Sequence, residues 1–411
     1  MCALWRFCSR RITTGQRDNS GHRHWGTDPN WPLGRSYESV ARMKYSVLLL
    51  AVLALGCTAA EPQSEDPDTG ERLESGEVDI IKKIAAAAVA QVEQEKRAAA
   101  DGVARRDAHA KAHGCVTASL QVNADIPEVL RGDTFLPGAR YDAWVRFSNG
   151  SKADDTESDA RGMAIKLLNV PGTPLIGNFA GAPRSHDLVL SNHHTFFIKT
   201  LADYVTFMET MTQKGNPISF FVSWNPLNWH LREAKLASAF TGQAMSNPLR
   251  SRYWSVTPYQ LGTAGPVKYS MTPCEGADTS GAKAPSKDAY AAAMKAQLNT
   301  GGACFVLSVQ RRTRPTEMPT EDATITWEES NAPFVPIARL QIPKQVFDTP
   351  AQKKFCESLS YSPWHASEKH KPLGSTNRAR GAVYAATQSA RARLNGIEQF
   401  EPRDLSVPSL P

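Results

Sequence analysis

The sequence lacks several features that would assign a function directly. Seven cysteines are spread over 411 residues, and none of them forms the CxxC pair common in zinc and iron–sulfur sites. The CxxCH signal that attaches c-type haem covalently is also missing. No apolar run reaches the roughly 18 residues of a membrane-spanning helix. No repeat with a period of 20–50 residues is present, which argues against a solenoid or a propeller.

The positive charge is confined to the first part of the chain. The net charge is +6, but residues 1–56 hold eight Lys/Arg and three acids, so 39 basic and 38 acidic residues remain beyond them. No basic run with interleaved aromatic residues follows. The sequence therefore predicts no nucleic-acid partner.

Residues 43–57 have the composition of an export signal. "MKYSVLLLAVLALGC" begins with one lysine, continues with about ten apolar residues and ends in Gly56 and Cys57. This end resembles a bacterial lipobox, which would make Cys57 a lipidated N-terminus; an ordinary signal cleaved nearby is the alternative. Residues 1–42 do not suit the start of a signal peptide, so Met43 is the expected start. We expect an exported protein of the periplasm or an outer-membrane lipoprotein.

Four cysteines remain for the folded region. Cys115, Cys274, Cys304 and Cys356 could form two disulfides in an oxidising compartment. Three pairings are compatible with the sequence, which does not choose between them.

The rest of the chain predicts one α+β domain. Residues 58–77 are acidic and contain Pro, Gly and Ser, which predicts a disordered tether, and residues 78–108 predict an N-terminal helix. The main domain is expected over 109–396, where short β-rich segments alternate with helical ones, and 397–411 is expected to be a tail. Clustered strands with helices between and after them favour an antiparallel sheet or barrel.

A helix near the end of the chain places one tyrosine among arginines. In "NRARGAVYAATQSAR", Arg380 precedes Tyr384 by four residues and Arg391 follows it by seven, so helical periodicity puts all three on one face. One interpretation is a solvated basic stripe beside a half-buried tyrosine. The other is that the arginines favour the phenolate, which could then bind a metal.

Five motifs occur in a fixed order between residues 106 and 384. They are R-x-x-H-A-K, V-R-F-S, D-x-R-G-x-A-x-K, N-x-x-x-F-F-I and R-x-x-x-Y. In this order they resemble the haem-binding catalases, and more closely their short, divergent relatives. The resemblance implies a catalase-like antiparallel β-barrel with surrounding helices and a non-covalent haem b.

The resemblance also implies roles for single residues. Tyr384 matches the axial ligand of the haem iron and Arg380 matches the arginine that stabilises its phenolate. His109 matches the distal histidine and Ser148 the serine that orients it. The residues matching propionate partners and pocket aromatics are Arg106, Arg146, Arg391, Phe196, Phe197 and Phe207.

The sequence departs from the catalase pattern above the iron. Counting from "FFI", the catalytic asparagine should fall at Ser191, and Asn192 is one residue later. The polar donor is therefore either Ser191 or Asn192. Ala108 and Tyr204 also replace bulkier or less polar residues of the family.

Three functions remain open at this point. The first is a haem-dependent hydroperoxidase that decomposes hydrogen peroxide or organic hydroperoxides. The second is a fatty-acid hydroperoxide isomerase or dehydratase of the allene oxide synthase type, and the third is a haem-binding envelope lipoprotein without activity. The expected partner is a small peroxide, with membrane contact only through Cys57; a homo-oligomer is compatible with the sequence.

Overall fold

A computed structural model describes residues 66–176, 184–214, 218–222, 224–278 and 281–408. The predicted leader, with Met43 and Cys57, lies outside these residues. Within them, no helix combines the length and the apolar character needed to cross a bilayer.

A closed antiparallel barrel forms the centre of the described domain. Its nine strands are β1 Ala112–Val122, β2 Arg140–Asn149, β3 Arg161–Leu168, β4 Ser185–Ser191, β5 Tyr253–Trp254, β6 Tyr259–Gln260, β7 Pro266–Pro273, β8 Ala303–Arg311 and β9 Val335–Ile342. Strands β1 to β5 and β7 to β9 close the barrel, because β1 pairs with β9 and β5 pairs with β7, while β6 adds to β7. Closure leaves these eight strands without a free edge.

Alternation along each strand separates the core from the outer face. On β2, Tyr141, Ala143, Val145 and Phe147 belong to the large apolar cluster inside the barrel. Trp144, Arg146 and Ser148 alternate with them and therefore face outward. The polar residues of the V-R-F-S motif thus lie outside the barrel.

Seven helices accompany the barrel in the described residues. They are α1 Glu77–Ala98, α2 Leu201–Lys214, α3 Ile218–Phe221, α4 Leu231–Thr241, α5 Ala289–Thr300, α6 Pro350–Ser358 and α7 Ser375–Asn395. α7 is rich in alanine, the best helix former, and it ends at Gly396, whose φ of 64° fits the left-handed position after a helix. The predicted α+β class and antiparallel barrel are confirmed.

The N-terminal helix ends ten residues earlier than the sequence predicted. It was expected over 78–108, but α1 stops at Ala98, Ala99 is extended and Gly102 has a φ of 64°. The turn at Gly102 interrupts the helical periodicity that the alanine-rich sequence suggests. Residues 103–108 consequently approach the barrel as irregular chain.

Part of the predicted tether and the predicted tail pack on the domain. Glu71 binds Lys371 Nζ at 2.9 Å and Arg378 Nη1 at 2.9 Å. In the tail, Glu401 Oε2 accepts a hydrogen bond from Lys166 Nζ at 2.7 Å. Lys166 is fully buried and also binds Asp187 at 2.9 Å. Charged partners inside the domain, which composition does not reveal, hold both segments.

Of the two disulfides that four cysteines could form, the described residues contain one. Cys274 and Cys304 form a disulfide with their Cα atoms 5.4 Å apart, joining the ends of β7 and β8. Cys115 and Cys356 are free, buried thiols in one apolar cluster behind β1 and β2.

Candidate functional site

The register of three strands builds one wall of a cavity outside the barrel. Ser148 of β2 pairs with Gly162 of β3, and Gly162 pairs with Ser191 of β4. One row further along, Arg146 pairs with Ala164 and Ala164 with Val189. All of these positions share the outward face of the sheet. The cavity lies between this wall, the chain at 106–109 and α7.

His109 is fixed over the wall by its backbone and its ring. Its φ of 60° is in the left-handed region, which few non-glycine residues occupy and which is often found at functional sites. The His109 N–H donates to the Gly150 carbonyl at 2.6 Å, and the His109 carbonyl accepts from Arg146 Nη2 at 2.7 Å. The ring Nδ1 lies 2.9 Å from Ser148 Oγ.

The imidazole of His109 packs directly against Gly162. A Cβ atom at this position would be 2.6 Å from His109 Cε1 and 3.0 Å from Ser148 Oγ. Only glycine therefore lets the ring approach the strand so closely. Burial, and then the charge of Arg146, lowers the pKa of His109 to about 3. The imidazole is consequently neutral at physiological pH.

The opposite wall is one face of α7. Arg380 Nη2 donates to the Tyr384 hydroxyl at 3.3 Å. The same guanidinium donates to Thr257 Oγ1 at 3.2 Å and to Asn377 Oδ1 at 3.1 Å, so its position is fixed. Burial disfavours the Arg380 cation, but the Tyr384 and Tyr259 oxygens outweigh this effect and raise the pKa of Arg380. A permanent positive charge thus faces the tyrosine oxygen.

Three arginines converge on one carboxylate at the other end of the cavity. Arg106 Nη1 donates to Glu357 Oε1 at 2.9 Å, and Arg391 Nη2 lies 3.3 Å from the same oxygen. Arg146 is buried nearby and lowers the pKa of Glu357 together with the other two, against the opposing effect of burial. Burial, then the charge of Arg106, lowers the pKa of Arg391 to about 9. The three guanidiniums outnumber the carboxylates at this end of the cavity, Glu357 and Asp107, and leave an excess of positive charge.

This arginine cluster has unused hydrogen-bond donors. The Nε atoms of Arg146 and Arg391 are buried, and neither has a hydrogen-bond partner within the described part of the chain. Leaving a charged donor unpaired in the interior costs free energy, so an anionic group is expected there. A flat apolar molecule with two carboxylates, such as haem, fits an end wall of this kind.

The structure distinguishes the two candidates for the polar donor. Ser191 lines a second cavity that adjoins the first and shares His109 and Tyr384 with it. Its hydroxyl is buried and has no partner among the residues that the structure describes. The Asn192 side chain instead accepts from the Arg161 N–H at 2.7 Å and holds the start of β3. Asn192 is therefore not brought to the cavity, because one residue along a strand reverses the face.

The aromatic candidates form two layers. Phe196 lines the cavity beside His109. Phe197 lies behind it with ring centroids 4.6 Å apart, and Phe207 follows at 5.4 Å from Phe197. Phe197 therefore supports the cavity wall without lining either cavity. Ala108 lines the first cavity, and Tyr204 is buried with its ring 6.1 Å from Phe196.

Two residues of the site, Gly162 and Glu357, were not predicted from the sequence. Gly162 lies within the D-x-R-G-x-A-x-K motif, and its lack of a side chain beside a distal histidine was the available signal. Glu357 had no such signal, because it is one of several polar residues on the short helix α6 and lies far along the chain from all three arginines.

No other part of the described structure combines such features. No group of three or more His, Cys, Asp or Glu side chains that could hold a metal ion occurs in the described ranges. A larger open groove of about 1110 Å³ lies beside the Cys274–Cys304 disulfide and shares no lining residue with the cavity around His109.

Comparison with known proteins supports the fold. No protein-family model matches the chain, and no curated protein matches it in sequence. A similar solved structure is a fungal catalase, with a TM-score of 0.56 and 18% sequence identity, and the match covers 70% of this chain and 60% of the catalase. Catalase A from Saccharomyces cerevisiae matches with a TM-score of 0.55 and 17% identity, over 72% of this chain and 63% of that chain. A bacterial catalase matches with a TM-score of 0.54 and 18% identity, over 82% of this chain and 64% of that chain. This chain thus spans about three fifths of the length of these catalases. The barrel and its helices have the catalase-like fold, as the motifs predicted.

Proposed function

We propose that the chain is a haem-binding hydroperoxidase that acts on hydrogen peroxide or organic hydroperoxides. The observation that carries the proposal is the convergence of three elements on one cavity: a neutral histidine hydrogen-bonded to a serine, a tyrosine faced by an arginine, and an arginine cluster with buried unpaired donors. The catalase-like fold supports the same proposal.

Tyr384 would hold the haem iron, and Arg106, Arg146 and Arg391 would bind the two carboxylates. Arg380 contributes a fixed positive charge 3.3 Å from the Tyr384 oxygen. When bound, the haem supplies a redox-active iron at which the peroxide O–O bond is cleaved. The protein residues around it orient the substrate and move its protons.

His109 is the proposed proton acceptor and donor. As a neutral imidazole it can accept a proton from the near oxygen of a peroxide and return it to the far oxygen. The contacts with Ser148 and Gly162 fix the ring during this transfer. Ser191 is the second polar group, and its unpaired hydroxyl can donate to a peroxide oxygen.

The small donor at residue 191 favours peroxidase chemistry over rapid dismutation. A serine hydroxyl is shorter than the asparagine amide of the catalase pattern, and Ala108 takes little space at the cavity wall. Larger organic or lipid hydroperoxides are therefore within the proposed substrate class. Isomerisation of fatty-acid hydroperoxides, the allene oxide synthase reaction, is the alternative that these positions leave open.

Export and lipidation at Cys57 are part of the proposal. The apolar run after Met43 and the Gly56–Cys57 end support them. Mass spectrometry of the membrane fraction would detect a lipidated Cys57, and an unmodified soluble chain would contradict this part.

The test of the site is an absorption spectrum of the protein loaded with haem. We expect a Soret band with high-spin ferric features that collapses in Tyr384→Phe. In His109→Ala we expect the band to remain and peroxide turnover to fall by about 10²–10⁴. An unchanged turnover in His109→Ala would refute the proton-transfer role, and the absence of any Soret band would refute the proposed function.

The same samples also distinguish the possible substrates and reactions. Oxygen release from hydrogen peroxide reports dismutation, oxidation of a reducing dye reports peroxidase activity, and product analysis with a fatty-acid hydroperoxide reports isomerisation. A Ser191→Asn variant should raise oxygen release if residue 191 limits dismutation.

A further inference from the structure

An exposed apolar surface lies on the segment from α3 to the start of α4. Trp224 is fully exposed and Leu227 is 91% exposed. Four more apolar side chains on this segment are exposed, namely Ile218, Val222, Trp229 and Leu231. We call these six residues the apolar surface. Isolated apolar residues are common on protein surfaces, whereas a run of this size marks an interaction site.

The composition of the segment suits a lipid bilayer. Residues 218–232 contain no aspartate or glutamate, so no carboxylate of the segment itself opposes contact with acyl chains. Two tryptophans stand beside leucine, isoleucine and valine, a combination typical of protein segments at membrane interfaces. Arg232 and Lys235 are exposed and suit the headgroup region; Glu233, between them, is only partly exposed and lies 3.8 Å from Arg232.

The described chain begins close to this surface. Thr320 Oγ1 donates to the Thr69 carbonyl at 2.5 Å, and Arg232 Nη2 donates to Thr324 Oγ1 at 2.9 Å. Thr320 and Thr324 are four residues apart on one loop, at most about 14 Å, and this loop contacts both the first described segment and the residue that follows Leu231.

The preceding chain is short enough to keep this side of the domain at a membrane. Nine residues lead from Cys57 to Asp66, which reach at most about 32 Å when fully extended. A lipid on Cys57 would thus hold the domain near the bilayer on the side where the apolar surface lies.

A continuous series of aromatic contacts leads from the apolar surface to the cavity. Phe220, two residues before Val222, packs against Phe207 with ring centroids 5.3 Å apart. Phe207 contacts Phe197 at 5.4 Å, and Phe197 contacts Phe196 at 4.6 Å. Phe196 lines the cavity together with His109 and Tyr384. The apolar surface is therefore joined to the cavity wall by packed aromatic side chains, which places the proposed reaction site near the docked face.

We propose that the apolar surface docks on a lipid bilayer and presents the cavity to lipids within it. The proposal of docking is supported by the six exposed residues and by the start of the described chain at Asp66. Only the consequence that membrane lipid hydroperoxides are substrates rests on the proposed function.

Vesicle partitioning of the chain from residue 58 onward tests the docking. This chain has neither the apolar export signal nor an acyl anchor at Cys57, so that only the apolar surface contributes. With phosphatidylethanolamine–phosphatidylglycerol vesicles at high salt, we expect Trp224→Ser/Leu227→Ser to lower the partition coefficient by about a hundredfold, because each side chain loses roughly tenfold. The matched control is Leu136→Ser/Val346→Ser, two exposed apolar residues outside the surface, which should partition as the parent chain does.

A second measurement reports the inserted residue directly. Brominated acyl chains should quench the fluorescence of Trp224 and Trp229, and Trp224→Phe should reduce this quenching while the chain still binds vesicles. Equal partitioning of the surface variant and the control would overturn the proposal. A change in oligomeric mass without a change in partitioning would also overturn it, because the surface would then lie between copies of the chain.

Activity in the same variants separates the docking from the chemistry. Turnover of a water-soluble hydroperoxide should be equal in the parent chain and in Trp224→Ser/Leu227→Ser, while turnover of a phospholipid hydroperoxide in vesicles should fall with the partition coefficient. If neither substrate reacts but partitioning behaves as expected, the proposed function fails and the docking stands.

Discussion

Replacing Gly162 by alanine should separate haem binding from turnover. The new methyl group would lie 2.6 Å from His109 Cε1, whereas carbon atoms pack at about 3.5–4.0 Å. The ring must therefore retreat by about 1 Å. Its backbone cannot follow freely, because the His109 N–H and carbonyl are held by Gly150 and Arg146.

A retreat of this size also breaks the hydrogen bond that orients the ring. The Nδ1–Oγ distance to Ser148 is 2.9 Å and would become about 3.9 Å, beyond hydrogen-bond range. A displacement of about 1 Å in a reacting group costs roughly a hundredfold in rate, or about 2.7 kcal/mol in the barrier. The overpacking should lower the free energy of unfolding by about 1–3 kcal/mol.

The assay is steady-state dye oxidation with hydrogen peroxide, normalised to haem content from the Soret band. Tyr384 and Arg380 lie on the opposite wall, so the Soret band of Gly162→Ala should match that of the parent protein. Gly301→Ala is the control, since a Cβ there meets no atom within 4 Å. Parent-level turnover in Gly162→Ala with full haem content would refute the packing of His109 on this glycine.

Four further predictions concern stability and the arginine cluster. In the apoprotein, the contribution of His109 to the free energy of unfolding should be complete above pH 6.5 and fall by about 1.4 kcal/mol per pH unit towards pH 3, because its folded-state pKa is about 3. In denaturant titrations at several pH values, His109→Gln should therefore lose about one proton's worth of the dependence of the unfolding free energy on pH. Cys274→Ser/Cys304→Ser should lower the free energy of unfolding by about 3–4 kcal/mol, given a sequence separation of 30 residues, and a reductant should then have no further effect. Lys166→Met should cost about 3–5 kcal/mol in urea denaturation, because it leaves buried carboxylates without a cation; a loss below 1 kcal/mol would contradict the buried ion pairs. Glu357→Gln should destabilise the apoprotein yet tighten haem binding several-fold in spectral titrations, and weaker binding would show that this carboxylate supports the arginines.

The sequence was sufficient where the functional residues lie in compact motifs. The spacing of Arg380 and Tyr384 placed both on one helix face, and α7 carries them in hydrogen-bond contact. The resemblance to catalases implied that Ser148 orients His109, and the two side chains are 2.9 Å apart. Local periodicity was enough for the pair on α7 because that helix is regular, whereas the contact between Ser148 and His109 was predicted from the resemblance alone.

Features that depend on distant pairing could not be predicted. The choice between Ser191 and Asn192 needs the pairing of Gly162 with Ser191, since a shift of one residue reverses the face. Glu357 meets Arg106 across 251 residues of sequence separation. The folded state of 400–408 similarly depends on Lys166, whose burial no local pattern of the tail reveals.

The pairing of Lys166 with Glu401 has a consequence for biosynthesis. β3 leaves the ribosome long before residue 401 is made, so Lys166 cannot form one of its two buried ion pairs until then. The barrel cannot close either until β9 has been made and can pair with β1. The nascent chain should therefore remain incompletely folded and open to chaperones until residue 401 has been made, and nascent chains stalled before residue 401 should be digested by protease much faster than the released protein.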